Sequence, residues 1–439
     1  MPRCVRMTKR KGLLMNRVLV GALVAIPFGL FAADFSNTVL KGRTDKDNPV
    51  GYAVGEPIVF TITATDVPAD AAGCVYDWVR TGDDGVVASG RVEVASVPLT
   101  VKTSLAKPGF VRLEVTIRDA DGKAVKGKNA FFDGGAGAEI DKLAQGEPEP
   151  TDFDAFWARQ LRRLADVPVV AHRKEIPCKN PKMALYAVEV DCAGPRPVTG
   201  YLAIPRDASA EKPVLANLQF CGYGAYEHKP GDYPEGRVTF HVNAHGMSLG
   251  REKGYYESFL DGIRTKGYSY AFSPYQNEHP EGSYFCGMAL RAIRAAQYLF
   301  ALPEVQGKPH WISGGSQGGL QTMWAAAFET GSTVAYPHIT WCCDLGGYRS
   351  GRLQAPWHIP PMSALGYFDA VNFAKRAKVP VHITRAGLGD YTCPPSGLAV
   401  CYNALGVEKS IEWVQGSQHM YVPAKPNQTW EQREKASCK

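Results

Sequence analysis

The sequence PHWISGGSQGG, at residues 309–319, carries the clearest structural signal in this chain of 439 residues. It contains the pattern Gly-x-Ser-x-Gly, with Ser316 at its centre, between a short apolar run and a helix-like run. That context is typical of a strained strand-to-helix turn that lifts a serine side chain above the edge of a sheet. The glycines keep such a turn free of clashes, and the helix N-terminus adds positive potential at the reacting oxygen. The segment therefore predicts a nucleophilic Ser316, with an ordinary Gly/Ser turn as the alternative.

A serine hydroxyl is a weak nucleophile, so it needs a base that is oriented by an acid. When the nucleophile lies on a turn of this type, the chain order is Ser, then acid, then His. His419 follows the last predicted strand in the sequence GSQH and can reach the edge of the sheet from a loop, so we predict it as the base. His382 lies inside a strand pattern and is interpreted as structural.

The predicted acid is Asp390, in the loop GLGDYTCPP at residues 387–395. This loop directly follows a predicted strand. Its glycines allow it to turn, and its prolines favour the start of a helix beyond it. Asp344, which also lies at a predicted strand end, is the alternative acid.

The tetrahedral intermediate of ester hydrolysis needs two backbone donors for its oxyanion. We predict the amide of Gln317, directly after the nucleophile, and that of Tyr223, in the sequence CGYG at residues 221–224. The glycines around Tyr223 would let the backbone approach a ligand closely. A plain turn is the alternative interpretation of this second segment.

Three aromatic residues are candidates for substrate binding. Tyr391 flanks the predicted acid, and Tyr226 and Trp357 are candidate platforms for a sugar ring. A core position is the alternative for Trp357. Bulky groups around the nucleophile would favour a short acyl chain, because each further methylene would have to displace packed atoms. We therefore expect acetyl esters to be preferred over butyryl and longer esters.

His241 and His245 are four residues apart near a predicted strand end and are interpreted as ordinary histidines at the rim of the active site, with a metal site as the alternative. No carboxylate or third ligand lies nearby in the sequence, and no Cys-x-x-Cys pair occurs. A zinc site needs three or four such ligands, so no metal and no cofactor is predicted.

From Met183 onward, predicted strands alternate with predicted helices, which is the pattern of a mostly parallel sheet. The predicted fold class is α/β, namely an α/β-hydrolase with a doubly wound, mostly parallel sheet. Strands are predicted at residues 186–190, 198–204, 214–220, 237–243, 311–313, 338–341, 381–386 and 411–414. Helices are predicted at residues 288–301, 318–329, 368–378 and 395–405.

Residues 35–132 have the pattern of a smaller all-β domain that precedes the hydrolase. Apolar and polar residues alternate at 58–65 and at 111–118, and turn residues follow at 119–122. Short strands at this spacing suggest an immunoglobulin-like β-sandwich. The sequence GGAG at residues 134–137 is interpreted as a flexible boundary.

These patterns divide the chain into a signal peptide (1–33), an immunoglobulin-like β-sandwich (34–133), a linker (134–149) and a catalytic domain (150–439). Basic residues precede an apolar run at 18–31, as in an export signal. That run is shorter than the ~20 apolar residues of a membrane-spanning helix. We therefore expect a secreted or periplasmic protein, without stable membrane insertion after cleavage of the signal.

The charge distribution argues against one class of partner. The formal net charge is +6, and no basic stripe with interleaved aromatic residues occurs, so nucleic acid is not a predicted partner.

Several of these segments together resemble the acetylxylan esterase / cephalosporin-C deacetylase family. They are GGSQGG at 314–319, the loop at 387–395 that ends in DYTCPP, and PTDFDAFW at 150–157. GYLAIP at 200–205 and GYG at 222–224 agree in order. The resemblance covers about residues 148–425, and the β-sandwich lies outside it.

The resemblance implies an α/β-hydrolase that removes acetyl groups from xylan, xylo-oligosaccharides or other small acetylated compounds. It assigns the nucleophile to Ser316, the acid to Asp390, the base to His419, and the oxyanion amides to Tyr223 and Gln317. A homo-oligomer is compatible with it.

Two segments depart from the usual pattern of that family. Residues 243–247 read NAHGM where the family usually has Arg-Gly-Gln, and Met420 follows the predicted base where the family usually has Glu. We expect both changes to affect loop packing or oligomer contacts more than the reaction. The alternatives are another α/β-hydrolase reaction, such as peptide or lactone hydrolysis, and a non-catalytic carbohydrate-binding protein on the same scaffold.

Overall fold

The computed structural model describes residues 33–94, 98–227, 231, 233–328, 331–419 and 421–435. From Asp34 onward, these residues belong to one compact unit. The predicted signal peptide, residues 1–33, lies outside the described residues apart from Ala33. Among the residues described, no helix combines the length and the apolar character needed to cross a membrane.

The N-terminal part of the described chain is all-β, as predicted. Its strands are β1 (Val39–Thr44), β2 (Ile58–Thr65), β3 (Val75–Gly82), β4 (Ala88–Glu93), β5 (Leu99–Thr103), β6 (Gly109–Arg118) and β7 (Phe131–Ala138). They form two antiparallel sheets with the orders β1-β2-β5 and β4-β3-β6-β7. The alternation predicted at 58–65 and 111–118 is confirmed in β2 and β6, whose inward side chains, such as Phe60 and Leu113, are buried.

The glycine-rich segment at residues 134–137 lies within β7, so the prediction of a flexible boundary there is wrong. A Cβ atom at Gly135 would lie 2.5 Å from the carbonyl oxygen of Val111 in β6 and 2.9 Å from that of Leu388. Glycine is needed here because β7 passes very close to a loop of the second part of the chain. The start of the predicted linker, 134–149, is therefore a buried strand rather than a free connection.

The second part of the chain is built on one large mixed sheet. Its strands are β8 (Ala171–Ile176), β9 (Met183–Val190), β10 (Val198–Pro205), β11 (Leu215–Phe220), β12 (Arg237–Asn243), β13 (His310–Gly315), β14 (Val334–His338), β15 (Val381–Gly387), β16 (Lys409–Val414) and β17 (Thr429–Glu434). The order is β17-β16-β15-β14-β13-β11-β12-β10-β9-β8. The strands from β16 to β12 in this order are parallel. Their carboxyl ends share one edge of the sheet, which is where open α/β sheets bind ligands.

The helices within the described residues are α1 (Phe153–Ala165), α2 (Lys253–Gly262), α3 (Tyr284–Phe300), α4 (Gln317–Ala327), α5 (Ala370–Ala374) and α6 (Pro395–Ala404). Helices α3 and α4 pack against each other, and every residue of α4 is buried. A helix that is buried on every face belongs in the core of a large domain. The residue that precedes α4 is therefore held on a rigid element.

Most predicted elements differ by a few residues from the observed ones, and for two of them the structure shows the reason. The strand predicted at 338–341 shares only His338 with β14, because Ile339 and Cys342 have positive φ angles of 37° and 56° and turn the chain away from the sheet. The helix predicted at 368–378 is limited to α5. Asp369 caps its start, and at its far side the Lys378 N–H donates to Ala326 of α4 over 3.1 Å.

Candidate active site

Ser316 occupies the sharp turn between β13 and α4, with φ 56° and ψ −115°. This conformation is strained for a residue that carries a Cβ atom. Besides the first helical bond, from the Leu320 N–H to the Ser316 carbonyl over 3.1 Å, two backbone hydrogen bonds hold it. The Ser316 N–H donates to the carbonyl of His338 over 3.0 Å, and the Trp341 N–H donates to the carbonyl of Ser316 over 3.1 Å. The turn therefore has the geometry that its sequence predicts.

Gly314 and Gly318 stand where this turn leaves no room for side chains. A Cβ atom at Gly314 would lie 2.6 Å from the backbone of Gly318, and one at Gly318 would lie 2.5 Å from the carbonyl oxygen of Phe220. Both distances are shorter than any ordinary contact, so the two glycines are required by close approach of the backbone.

Asp390 is buried in the loop that follows β15. Its Oδ1 accepts hydrogen bonds from the backbone N–H groups of Thr392 and Cys393, each over 3.0 Å. Its Oδ2 lies 2.9 Å from Nδ1 of His419. Both oxygens of the carboxylate are thus engaged, and Oδ2 can orient the imidazole ring.

The structure brings the predicted nucleophile, acid and base to one place. The thiol of Cys393 lies within 4.8 Å of both the Asp390 carboxylate and the His419 ring, and the Ser316 side chain is near enough to affect the pKa of this thiol. Burial raises the pKa of the Cys393 thiol well above its usual value, the negative charge of Asp390 adds to this, and the contact with Ser316 opposes it. This thiol is therefore neutral and is not a competing nucleophile.

The loops that carry the acid and the base are joined by backbone hydrogen bonds. The Gly389 N–H donates to the carbonyl of Ser417 over 3.1 Å, and the Leu388 N–H donates to that of Val414 over 3.0 Å. Because β15 and β16 are parallel neighbours, both loops leave the sheet at the same edge. The sequence patterns that placed Asp390 and His419 after late strands were sufficient to predict this proximity.

The loop that carries Tyr223 is tied to the start of α4. The side chain of Gln317 donates to the carbonyl of Gly222 over 3.1 Å and accepts from the hydroxyl of Tyr270 over 2.8 Å. That hydroxyl in turn accepts from the N–H of Gly224 over 3.0 Å. The backbone of Tyr223 is therefore fixed relative to the residue after the nucleophile, and the Gln317 N–H at the helix start has no acceptor within its own helix.

Tyr270 is a part of the site that the sequence analysis did not identify, and His245, which was interpreted as a histidine at the rim of the site, packs against the Tyr270 ring. His245 is fully buried, with Nδ1 2.9 Å from the hydroxyl of Tyr284 and Nε2 3.2 Å from the carbonyl of Gly224. The Tyr284 hydroxyl accepts from Arg196 over 2.7 Å, so its own proton is directed to Nδ1, and Nε2–H then donates to Gly224. Both ring nitrogens have protein partners, so the arrangement is that of a structural histidine rather than a metal ligand.

The electrostatic state of His245 follows from its surroundings. Burial lowers its pKa from 6.5 to about 3, and the charges of Arg291 and Arg196 lower it further, against the opposing contact with Gly224. The ring is therefore neutral at ordinary pH. The sequence does not predict that His245 is a buried, neutral histidine, because its neighbours Tyr270 and Tyr284 come from segments far from it along the chain.

The three candidate substrate-binding residues have different environments. Trp357 is 43% exposed and stacks on Trp341, with 5.3 Å between ring centroids, and it meets the Tyr223 ring edge-on at 5.0 Å. Tyr226 is also 43% exposed, and its ring packs over Gly224. Tyr391 is only 4% exposed and lies under the guanidinium of Arg112 at 4.6 Å. Its ring is therefore not a surface that a sugar can reach.

The alternative candidates have structural partners of their own. Asp344 is paired with Arg352 and accepts from the Gly146 N–H over 2.6 Å, which holds the segment before α1. His382 lies on β15, 2.9 Å from the hydroxyl of Ser410 on the neighbouring strand. These contacts account for both residues without a role at the candidate site.

Comparison with known proteins defines the class first. The fold is similar to that of the acetyl xylan esterase from Paenibacillus sp. R4 (TM-score 0.55, 21% identity, 65% of this chain and 94% of that one). It is similar to acetyl xylan esterase 1 from Thermoanaerobacterium sp. JW/SL YS485 to nearly the same extent (TM-score 0.53, 21% identity, 65% and 94%). These similarities show that the fold is of the α/β-hydrolase type.

The family follows from the sequence comparison. The family model for acetyl xylan esterase (AXE1) matches residues 137–349 and 359–433, and the chain belongs to this family. The protein is therefore a carboxylic-ester hydrolase. It is also 25% identical to acetyl esterase Axe7A from Xylanibacter ruminicola over 319 residues, which are 70% of each protein. The resemblance seen in the sequence is thereby confirmed. The matched region starts inside β7 and leaves the other strands of the two small sheets outside it.

Proposed function

We propose that this enzyme hydrolyses acetyl esters of carbohydrates, such as acetylated xylan or oligosaccharides, with Ser316 as nucleophile, His419 as base and Asp390 as orienting acid. The observation that best supports it is the 2.9 Å contact between His419 Nδ1 and Asp390 Oδ2, beside the strained turn at Ser316. Membership of the acetyl xylan esterase family supports the class of substrate.

The reaction then has two half-reactions. Ser316 Oγ attacks the carbonyl carbon of the acetyl ester while its proton passes to Nε2 of His419. The tetrahedral intermediate collapses, the C–O bond to the sugar breaks, and the leaving sugar oxygen takes the proton from His419. Water, deprotonated by His419, next attacks the acetyl-Ser316 ester. This second collapse releases acetate and returns the proton to Ser316.

The oxyanion of each tetrahedral intermediate needs donors that are already in place. We propose the backbone amides of Gln317 and Tyr223, whose relative position is fixed by the hydrogen bonds of Gln317 to Gly222 and Tyr270. Such preorganised donors stabilise the transition state because they need no reorganisation during the reaction.

The aromatic residues around Tyr223 support a short acyl site and a sugar platform. Trp341 is buried, and its backbone N–H donates to the Ser316 carbonyl. The centroid of its ring lies 5.4 Å from that of the Tyr223 ring. Rigid rings of this kind leave space for a methyl group more readily than for longer chains. Trp357 and Tyr226 are exposed enough to receive a sugar ring in the leaving group.

The remaining predictions concern the whole chain. We propose that residues 1–33 direct export, so that the enzyme is secreted or periplasmic. We propose further that helices cover both faces of the large sheet and that the two small sheets face each other as an immunoglobulin-like sandwich. Their three- and four-stranded antiparallel orders support the latter.

Replacement of Ser316 by Ala tests the proposed function. We expect Ser316→Ala to lower kcat by about four orders of magnitude, with an unchanged circular dichroism spectrum. The measurements are the acetate released from acetylated xylan and the rate of hydrolysis of p-nitrophenyl acetate.

The native enzyme should also prefer short acyl chains. We expect p-nitrophenyl acetate to be preferred over the butyrate and octanoate esters by about tenfold to a hundredfold in kcat/KM, since overpacking of the acyl site costs about 1–3 kcal/mol.

The same substrates distinguish the alternatives. Rates that stay flat or rise with acyl length would contradict the deacetylase proposal, and faster turnover of a peptide or lactone would favour another hydrolase reaction. Full activity of Ser316→Ala would contradict the serine mechanism altogether.

A further inference from the structure

A buried ion pair in the N-terminal sheets faces the loops that carry the candidate acid and base. Arg112 on β6 donates to both oxygens of Asp133 on β7, over 2.9 and 2.6 Å. The side chain of Asp133 is only 2% exposed. A charge pair that is so deeply buried is costly unless all of its atoms find partners, so its further contacts are informative.

The Asp133 carboxylate reaches the base loop through one side chain. Gln418, which directly precedes His419, donates from Nε2 to Oδ2 of Asp133 over 2.8 Å. On the same loop, Gln415 exchanges two hydrogen bonds of 2.8 Å with the backbone of Gly135, the next residue but one on β7. Strand β7 is therefore bound to the base loop on both sides of the turn at residues 416–417.

The same pair also lies against the acid loop. A Cβ atom at Gly389, beside Asp390, would lie 2.2 Å from the carbonyl oxygen of Asp133. The backbone of the acid loop therefore packs directly against the backbone of β7 at this point. The Arg112 guanidinium lies 4.6 Å from the centre of the Tyr391 ring, on the other side of Asp390. The residues before and after the candidate acid thus both lie against the two residues of the ion pair.

The electrostatics act differently on the two partners: the pKa of Arg112 is raised, which favours its charged form, and the pKa of the Asp133 carboxyl is also raised, which opposes its charge. Burial opposes the charge of Arg112, but the hydrogen bonds and charge of Asp133 outweigh it and raise the Arg112 pKa. For Asp133, burial raises the carboxyl pKa, the contacts with Arg112 and Gln418 lower it, and the negative charge of Asp390 raises it again. The pair is a fixed, hydrogen-bonded brace rather than a mobile surface contact.

We propose that the N-terminal sheets are part of the catalytic apparatus: Arg112 and Asp133 act as positioning residues that hold Asp390 and His419 in register through Gln418 and Tyr391. This inference rests on the proposed roles of Asp390 and His419. It gives the N-terminal part a task that differs from the binding of carbohydrate. Small displacements of a base from its nucleophile reduce the rate of the chemical step far more than they weaken substrate binding.

The test compares Asp133→Ala and Gln418→Met with a control in the same sheets. Gln418→Met keeps the length of the side chain and leaves Asp133 paired with Arg112, so it folds even if Asp133→Ala does not. We expect each variant to lower kcat for p-nitrophenyl acetate by about tenfold to a hundredfold, with KM changed by less than about twofold. Because Asp133→Ala already removes the hydrogen bond of Gln418, the double variant should fall little further than Asp133→Ala alone.

Asp84→Asn is the matched control. Asp84 forms a buried 2.7 Å ion pair with Arg80, whose other hydrogen bonds go to Thr103, Val86 and Ser104 within the same sheets. We expect it to lower the thermal midpoint but to leave kcat per folded enzyme unchanged.

The outcomes separate this inference from the proposed function. If Gln418→Met has the kcat of the native enzyme, or if Asp84→Asn lowers kcat as much as Asp133→Ala does, the positioning role is wrong. A loss that appears in KM for acetylated xylan alone would instead indicate carbohydrate binding by these sheets. If Ser316→Ala remains active, the proposed function itself fails, whatever the other variants do.

Discussion

At the level of single residues, the site combines strain with neutral, buried polar groups. The backbone of Ser316 has a conformation that costs a non-glycine residue about 1–3 kcal/mol, and it is held by hydrogen bonds to His338 and Trp341. Such strain persists only where the surroundings fix it, which agrees with the rigid helix α4 behind it. His245 contributes in a different way, because it is neutral and supports the carbonyl of Gly224.

The neutral state of His245 predicts a dependence of stability on pH. Its pKa is lowered from 6.5 to about 3 by burial and by Arg291, so between these values the unfolded chain binds a proton that the folded one does not. The contribution of His245 is fully present above about pH 6.5 and falls by about 1.4 kcal/mol per pH unit below it. We expect His245→Gln to remove this slope, so that the stability gap to the native enzyme narrows as the pH falls.

Urea unfolding of both proteins at pH 7, 6 and 5 measures this gap. A difference in free energy of unfolding that stays constant across these values would mean that His245 is protonated in the folded protein.

The sequence predicts those site residues whose role is marked by a pattern in the residues next to them. Ser316, Asp390 and His419 each lie in a short segment whose pattern of strand, glycine and turn is visible in the sequence. Tyr270 and His245 are bonded to side chains from distant segments, Gln317 and Tyr284 respectively. No pattern near either residue in the sequence predicts these partners. Tyr391 was misjudged for the same reason, since the Arg112 that covers it is far away along the chain.

At the level of elements, the glycine run in β7 led to a wrong prediction of a flexible boundary at residues 134–137. Glycine is common both in flexible connections and in strands where backbones approach closely, and composition alone does not separate the two. Gly135 belongs to the second class because it lies between the carbonyls of Val111 and Leu388. The strands and helices with long periodic patterns, such as β2, β6 and α3, were predictable. The ends of β14 and α5 depended on tertiary contacts.

This packing predicts that Gly135→Ala destabilises the protein. The added methyl group would lie 2.5 Å from a carbonyl oxygen on one side and 2.9 Å from another, so the strand or the acid loop must shift. We expect a loss of about 1–3 kcal/mol in the free energy of unfolding. Gly254→Ala is the control, because Gly254 lies in α2 with no atom within 4 Å of the added carbon, and there we expect no loss. Equal stability of Gly135→Ala and the native protein in urea would show that β7 is not tightly packed there.

At the level of the whole molecule, the N-terminal sheets and the large sheet belong to one compact unit. Contacts between them include the exchange of hydrogen bonds between Gln415 and Gly135 and the bond from the Leu353 N–H to Asp83 over 2.9 Å. The all-β nature of residues 35–132 and the α/β nature of the remainder were evident from periodicity. Their mutual packing was not, because it rests on pairs separated by more than 250 residues.

The most direct test of the acetyl-enzyme mechanism is to trap the acylated protein. The enzyme is mixed with p-nitrophenyl acetate, quenched in acid within one turnover, digested and examined by mass spectrometry. The account predicts one acetyl group on the peptide that contains Ser316, and none on that peptide in Ser316→Ala. An acetyl group on another residue, or steady turnover by Ser316→Ala, would contradict it.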